Sequence, residues 1–230
     1  MIDAHYWPTP NGWKISIALE EMGLEYRVVP VNIGRGDQFQ PEFLKISPNN
    51  RMPAIVDHDP GDGGEPVSVF ETGAILVYLA EKTGMFLPTD LRGRTEVMEW
   101  LMWQMGGMGP MFGQNGHFKF YAPEPVPYAA ERYHTESLRL YGVLDRRLEG
   151  REYICGACSI ADFACWPWVL TYKKQEIDLG QFPNVRRWYD LMKTRPGLRR
   201  GYQVGSEFGK PQGKWDEEAR KHLMAHTRES

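Results

Sequence analysis

The periodicity of the apolar residues changes character once along this 230-residue chain, near positions 84–90, and no single layer architecture accommodates both halves. Before the change, short strand-like runs alternate with helical ones. Residues 2–6 (IDAHY) begin as a strand, and the turn-rich Pro8-Thr9-Pro10-Asn11-Gly12 leads into a helical pattern from Trp13 to Met22. Ile15, Ala18, Leu19 and Met22 share one face of that helix, and Gly23 stops it. Residues 25–31 read as a largely buried strand, followed by a glycine-containing loop over 32–39 and a short helix starting near Pro41. Residues 52–57 and 67–70, joined by the polar DHDPGDGGEP turn, suit an antiparallel hairpin. A last helix opens at Glu71-Thr72-Gly73 and runs to Thr83-Gly84. The order βαβαββα closes most economically as one four-stranded mixed sheet with helices packed on it.

After Met85-Phe86-Leu87-Pro88 the pattern is helical in 91–108, 127–149, 159–172 and 182–194. Ser159-Ile160-Ala161-Asp162 carries an acidic residue three positions after an N-cap serine, a variant of the capping box that announces a buried central helix. Residues 106–113 are too rich in glycine for a continuous helix and are expected to bend. The expected organisation is an α+β domain over 1–84, an all-α domain over 91–200 and a polar C-terminal extension over 201–230 with one helix in 215–225.

Charge and cysteine usage exclude several function classes. The 27 basic and 30 acidic residues leave a net charge of −3 without a long like-charged run, which argues against nucleic acid or an anionic membrane as partner. No stretch approaches the roughly 20 apolar residues that span a bilayer, and MIDAHYWPTPNGW lacks the layout of a leader. A cytoplasmic protein whose mature chain starts at Met1 is expected. Cys155, Cys158 and Cys165 are too few and too clustered for a disulfide framework, which fits a reducing compartment. Cys155-Gly156-Ala157-Cys158 has redox or metal spacing, and Cys158 lies just before a helix start. It nevertheless sits in the helical half rather than after a first strand, and a zinc site needs two further ligands, so no metal is expected. Cys165, beside Trp166 in an apolar helix, reads as core.

Several polar residues carry two readings each. Glu71 and Thr72 stand at a helix start, where free N–H groups attract an anion, although Thr is also an ordinary cap. Asn11 is a candidate cap of the first helix, Pro53 a plain strand start, and Arg132 part of a solvated helix face. The Met- and Trp-rich run over 98–112 packs the helical half or lines an apolar pocket.

Pro48-Asn49-Asn50-Arg51-Met52-Pro53, Phe70-Glu71-Thr72-Gly73-Ala74-Ile75 and Ser159-Ile160-Ala161-Asp162 resemble the motifs of the soluble glutathione transferases, whose thioredoxin-like half precedes an all-helical half. Thr9-Pro10-Asn11-Gly12, Gly34-Arg35-Gly36-Asp37-Gln38-Phe39, the run from Gly106 to Asn115 and Glu131-Arg132-Tyr133 are most similar to the bacterial nu class. The resemblance covers about residues 1–200. It implies that glutathione is bound as a co-substrate, reduced or oxidised. The Thr9 hydroxyl and Asn11 amide would donate to its sulfur at a helix N-terminus, which favours a thiolate. A cis Pro53 would turn the Met52 backbone toward the cysteinyl part, Glu71 would hold the γ-glutamyl ammonium and Thr72, where most relatives carry Ser, its carboxylate. Gln38 and Arg132 would take the glycine carboxylate. Tyr6 stands near the activating tyrosine of other classes but is expected to pack.

No cysteine precedes residue 155, so thioredoxin-type chemistry is closed to the first half. The resemblance therefore implies a homodimeric enzyme that positions glutathione thiolate to reduce small or mixed disulfides. Conjugation of electrophiles and peroxide reduction use the same thiolate with a different second pocket. A non-catalytic binding module and a self-contained dithiol enzyme using Cys155 and Cys158 are the alternatives of another class.

Overall fold

The computed structural model describes residues 1–208 and 217–224. The chain divides into two compact units, Met1–Thr83 with Arg199–Ser230, and Gly84–Leu198. The first holds a four-stranded mixed sheet of order β2-β1-β3-β4, with β1 Ile2–Tyr6, β2 Tyr26–Pro30, β3 Ala54–Asp57 and β4 Val67–Phe70. β1 runs parallel to β2, pairing Ile2 with Tyr26, and antiparallel to β3, pairing Ile2 with Asp57; β3 and β4 form the expected hairpin. Helices α1 Pro10–Met22, α2 Pro41–Ile46 and α3 Thr72–Thr83 complete the βαβαββα order.

α1 begins three residues earlier than the apolar pattern indicates. Thr9 is its N-cap, accepting the Gly12 N–H at 3.2 Å, and Pro10 fits the first turn, where its missing N–H is not needed. Ile15, Ile17, Ala18 and Leu19 of α1 and Ile75, Leu76 and Leu79 of α3 lose all contact with solvent and form the core of this unit. α9, Pro196–Gln203, brings the chain back to it: Ser16 Oγ donates to the Gly201 carbonyl at 2.7 Å, and Tyr6 Oη to that of Val204 at 3.1 Å. Gly201 lies so close to α1 that a Cβ there would stand 2.5 Å from Ile17 Cα. Trp7 stacks on Phe208 and Trp13 packs against Tyr202. The expected terminal helix is α10, Glu217–Met224; the rest of the 215–225 expectation lies outside the described residues.

The second unit is helical. α4 Leu91–Trp103 passes through one π turn, Gln104–Met108, into α5 Gly109–Gly116 and a second π turn, His117–Tyr121. The glycine run is thus not one regular α-helix, since a π turn interrupts it, but the chain keeps helical geometry through it. A Cβ at Gly113 would sit 3.4 Å from the Trp168 ring, and one at Gly109 as close to the indole nitrogen, so bare glycines let that side chain lie on the helix. α6 Pro127–Arg147, α7 Ile160–Val169 and α8 Pro183–Met192 follow. α7 stops short of the expected residue 172, where the Trp168 carbonyl accepts from Thr171 Oγ1 and Gln175 Nε2, both at 2.8 Å.

The capping box at Ser159 is formed. Asp162, fully buried, accepts from the Ser159 N–H at 2.9 Å, the Ser159 hydroxyl at 3.2 Å, the Ile154 N–H at 3.1 Å and Trp188 Nε1 at 2.8 Å. One carboxylate thereby satisfies donors from the preceding loop, α7's cap and α8. In Asp162→Ala these donors lose their acceptor in a site closed to water, and denaturant unfolding should show a loss on the order of 3–5 kcal/mol.

In the first unit Asp57 is also fully buried. Burial alone would raise its pKa, but Lys82 Nζ at 2.9 Å, the Asp59 N–H at 3.0 Å and Tyr78 Oη at 2.8 Å outweigh that and hold the carboxyl below its usual range. A lowered folded-state pKa gives stability that is present above the unfolded value of about 3.9 and is lost as pH falls through the folded value. The stability difference between the protein and Asp57→Asn should accordingly be constant at neutral pH and shrink below about pH 4 in urea titrations at stepped pH.

Candidate functional site

A pocket opens in the first unit where three pieces of chain converge: Asn11 in the first turn of α1, the loop from Ser47 to Pro53, and Phe70, Glu71 and Thr72 at the entry to α3. Both helices present N-terminal turns here, whose backbone N–H groups and dipoles favour a negative charge. The loop is held from inside by Ser47, fully buried, whose hydroxyl donates to the Arg51 carbonyl at 2.8 Å and whose own carbonyl accepts from Asn50 N–H at 3.0 Å. Arg51, exposed on the pocket wall, is braced by Asn50 Oδ1 at 2.6 Å. The Met52–Pro53 peptide bond is cis.

Thr9 stands beneath the loop. Its oxygen accepts the Gly12 N–H, and its hydroxyl donates to Met52 Sδ at 3.7 Å, so its proton is directed at a sulfur atom. Because Thr9 caps the helix, Asn11 does not; it is the second helical residue and lines the pocket instead, which corrects its reading as an N-cap.

Glu71 has a φ of +71°, a conformation costly for any residue with a side chain. The cost persists because the turn into α3 is fixed on both sides, by β4 and by the Ile75 N–H donating to the Glu71 carbonyl at 2.9 Å. The exposed Glu71 carboxylate accepts from Asn49 Nδ2 at 3.5 Å across the pocket. Thr72 is buried, and its Oγ1 accepts from Lys14 Nζ at 3.2 Å. An anion, two helix N-termini and Arg51 thus surround a space suited to a small molecule carrying both signs of charge.

Other residues singled out in the sequence lie elsewhere. Gln38, 4% exposed, is absent from the pocket lining; its Nε2 lies 3.4 Å from the carbonyls of Ile33 and of His222 in α10, and its Oε1 is buried without a partner among the described residues. Arg132 belongs to the second unit, exposed on α6, where it lines a groove with Tyr128, Glu131, Thr135 and Glu136. Tyr6 is buried, which raises its pKa well above the ordinary phenol value and, with its bond to Val204, makes it a packing residue. Cys155 is half-buried with its thiol 3.8 Å from the Glu96 carbonyl; burial, and next the Asp162 charge, push its pKa up to about 11, so the thiol stays protonated at neutral pH. Cys165 is buried in α7. Among the described residues no group of three His, Cys, Asp or Glu side chains is placed to hold a metal ion, and no helix is long and apolar enough to cross a membrane.

The sequence reading passed over Ser47, Arg51 and Lys14. Ser47 and Arg51 lay in a motif noted for other positions, and only the folded loop gives them their roles. Lys14 carries no signal at all, since a lysine inside an amphipathic helix reads as solvated.

Residues 4–81 match the family model described as the glutathione S-transferase N-terminal domain, and residues 110–196 match the corresponding C-terminal domain. The chain is 56% identical over 211 residues to the disulfide-bond oxidoreductase YfcG of Escherichia coli K12, covering 90% of this chain and 98% of that protein. Among solved structures it is similar to a glutathione transferase from Pseudomonas putida with one glutathione disulfide bound per subunit, at a TM-score of 0.85 and 44% identity, covering 89% of this chain and 91% of that one. A glutathione transferase from Burkholderia graminis with two glutathione molecules per subunit superposes with a TM-score of 0.83 at 45% identity, covering 89% and 88%.

The positive φ at Glu71 gives a direct stability test. Glu71→Gly removes the steric penalty and should raise the unfolding free energy by about 0.5–1 kcal/mol after the added chain entropy of glycine, whereas Glu71→Ala keeps the penalty and should show no gain in the same denaturant titration.

Proposed function

This chain belongs to the glutathione S-transferase family, and we propose that it is a cytoplasmic, homodimeric, nu-class enzyme that uses bound glutathione to reduce small or mixed disulfides. The observation that carries the reading is the N-terminal turn of α1 opening on the pocket, with Asn11 on its wall and no cysteine before residue 155; for Thr9, whose hydroxyl is given to Met52 Sδ, a role at the ligand sulfur requires that bond to be exchanged. Such a site favours a thiolate but contains none, so the nucleophile arrives with the ligand. The close similarity to a disulfide-bond oxidoreductase and to structures holding glutathione or its disulfide supports the same reading.

In this proposal Glu71 pairs with the γ-glutamyl ammonium, Thr72 and the α3 N-terminus with its carboxylate, and the Met52 backbone beside Pro53 with the cysteinyl peptide group. Thr9 and Asn11 donate to the sulfur. Gln38 is assigned to the glycine carboxylate, a role that requires its amide to exchange the His222 carbonyl for the ligand. The thiolate attacks one sulfur of the substrate disulfide, the S–S bond breaks, and the departing thiolate takes up a proton. A second glutathione thiolate then attacks the mixed disulfide at the glutathione sulfur. Glutathione disulfide leaves with the second substrate thiol, so two glutathiones are oxidised for each disulfide reduced. The protein contributes position and charge.

Turnover of a small model disulfide with glutathione should fall roughly 10- to 100-fold in kcat/KM in Asn11→Ala, the cost of one hydrogen bond to a charged sulfur, and stay unchanged in a Cys155→Ser/Cys158→Ser double variant. Loss of activity with the cysteine pair instead would transfer the chemistry to the second unit. Absence of glutathione binding at millimolar concentration would leave a non-catalytic module.

A further inference from the structure

Gln38 stands in the loop between β2 and α2, and α10, Glu217–Met224, lies over it. Loop and helix belong to the same compact unit. Gln38 Nε2 reaches the carbonyls of His222 and Ile33 at 3.4 Å each, the long end of the hydrogen-bond range, and among the described residues its Oε1 meets no donor. The amide is therefore enclosed but poorly served by what encloses it. The His222 ring rests on bare backbone, since a Cβ at Gly36, where φ is +78°, would stand 3.0 Å from Nδ1. Ala219, one turn earlier on the same helix, is buried. A helix of eight residues is too short to persist in water by itself, so α10 keeps its form through the surface beneath it.

We propose that α10 is an autoinhibitory cover that competes with the glycine carboxylate of glutathione for the Gln38 amide. The inference rests on the proposed role of Gln38 at that carboxylate, and it adds a regulation of the site by the chain's own C-terminal segment. A neutral carbonyl at 3.4 Å is a weak acceptor, whereas a carboxylate makes a charge-assisted and stronger bond to the same N–H. With α10 seated, Gln38 is buried and absent from the pocket lining. With α10 lifted, its amide is released to the ligand. The protein is thus divided between a covered and an open state, and its apparent affinity for glutathione is the intrinsic affinity reduced by the open fraction. Helix and ligand exclude one another at Gln38, so glutathione in turn unseats α10.

The test is calorimetric titration of full-length variants with glutathione, beside hydrogen exchange over residues 217–224. Ala219→Asp puts a charge into the buried face of α10, and His222→Pro breaks the helix from within. Each should tighten glutathione binding about three- to tenfold, the gain from opening a site that is mostly covered. Gln38→Met should weaken glutathione, and in that background Ala219→Asp should change the affinity by less than about twofold, because the two act on one bond. Saturating glutathione should speed exchange in α10 of the unaltered protein. Equal or weaker binding in both α10 variants, a tightening that survives Gln38→Met, or slower exchange in α10 with ligand present overturns the inference. A Gln38→Met protein that binds glutathione unchanged overturns the role of Gln38, and this inference with it, while leaving the proposed function in place. A starting protein that binds no glutathione overturns the proposed function itself.

Discussion

The packing of α1 against α3 over the sheet is the constraint on which the pocket depends. Each helix contributes its N-terminal turn, and a pocket that stabilises negative charge needs both turns at one place and at a fixed depth. Ile15, Ile17 and Leu19 on one helix and Ile75, Leu76 and Leu79 on the other are closed to solvent completely, so neither helix can slide without opening voids in a close-packed core. The polar features then follow by short reach: Thr9 and Asn11 from one helix, Thr72 from the other, and Lys14 between them. Glu71 can be held at positive φ because the elements on either side are too firmly placed to relax it.

The site has charge and geometry but no cysteine of its own, and Cys155 of the one C-x-x-C pair in the chain is placed in the opposite sense. At the head of α1 the helix's positive end faces the pocket, a condition that lowers a thiol's pKa. At Cys155, burial and the nearby Asp162 carboxylate raise it. Asp162 occupies its place for a structural reason, the capping of α7 and the anchoring of Trp188, and its effect on Cys155, second to burial, is a by-product of that arrangement.

What could be read from the sequence was whatever is decided locally. The order of strands and helices, the hairpin between residues 54 and 70, and the Ser159–Asp162 box are written in short-range patterns and turn chemistry, and they recur in the structure within a few residues. The start of α1 was misplaced because Pro10 and Gly12 read as turn residues until Thr9 is seen to cap the helix through them. The interruption of regular α-helix near residues 106–113 is legible in the glycine run, but the approach of Trp168 to Gly109 and Gly113, some sixty positions away, has no local pattern. At the pocket, residues named by motif were found at the loop and the α3 entry, whereas Lys14, the burial of Gln38 and the role of Ser47 arise only from long-range packing. Arg132 lies in the other unit, and its assignment rests on resemblance and not on the geometry of the pocket.

Ser16 and Gly201 are bonded to each other 185 positions apart, and Gly201 is pressed onto α1 too closely for any side chain. For a nascent chain this sets a schedule. At about 5–20 residues per second a ribosome needs on the order of ten to forty seconds to pass from one to the other. Through that interval the first 83 residues lack Tyr202 over Trp13 and Phe208 over Trp7. Two tryptophans and the back of α1 are left to water until the helical unit has been made. The earliest part of the chain is therefore among the last to close.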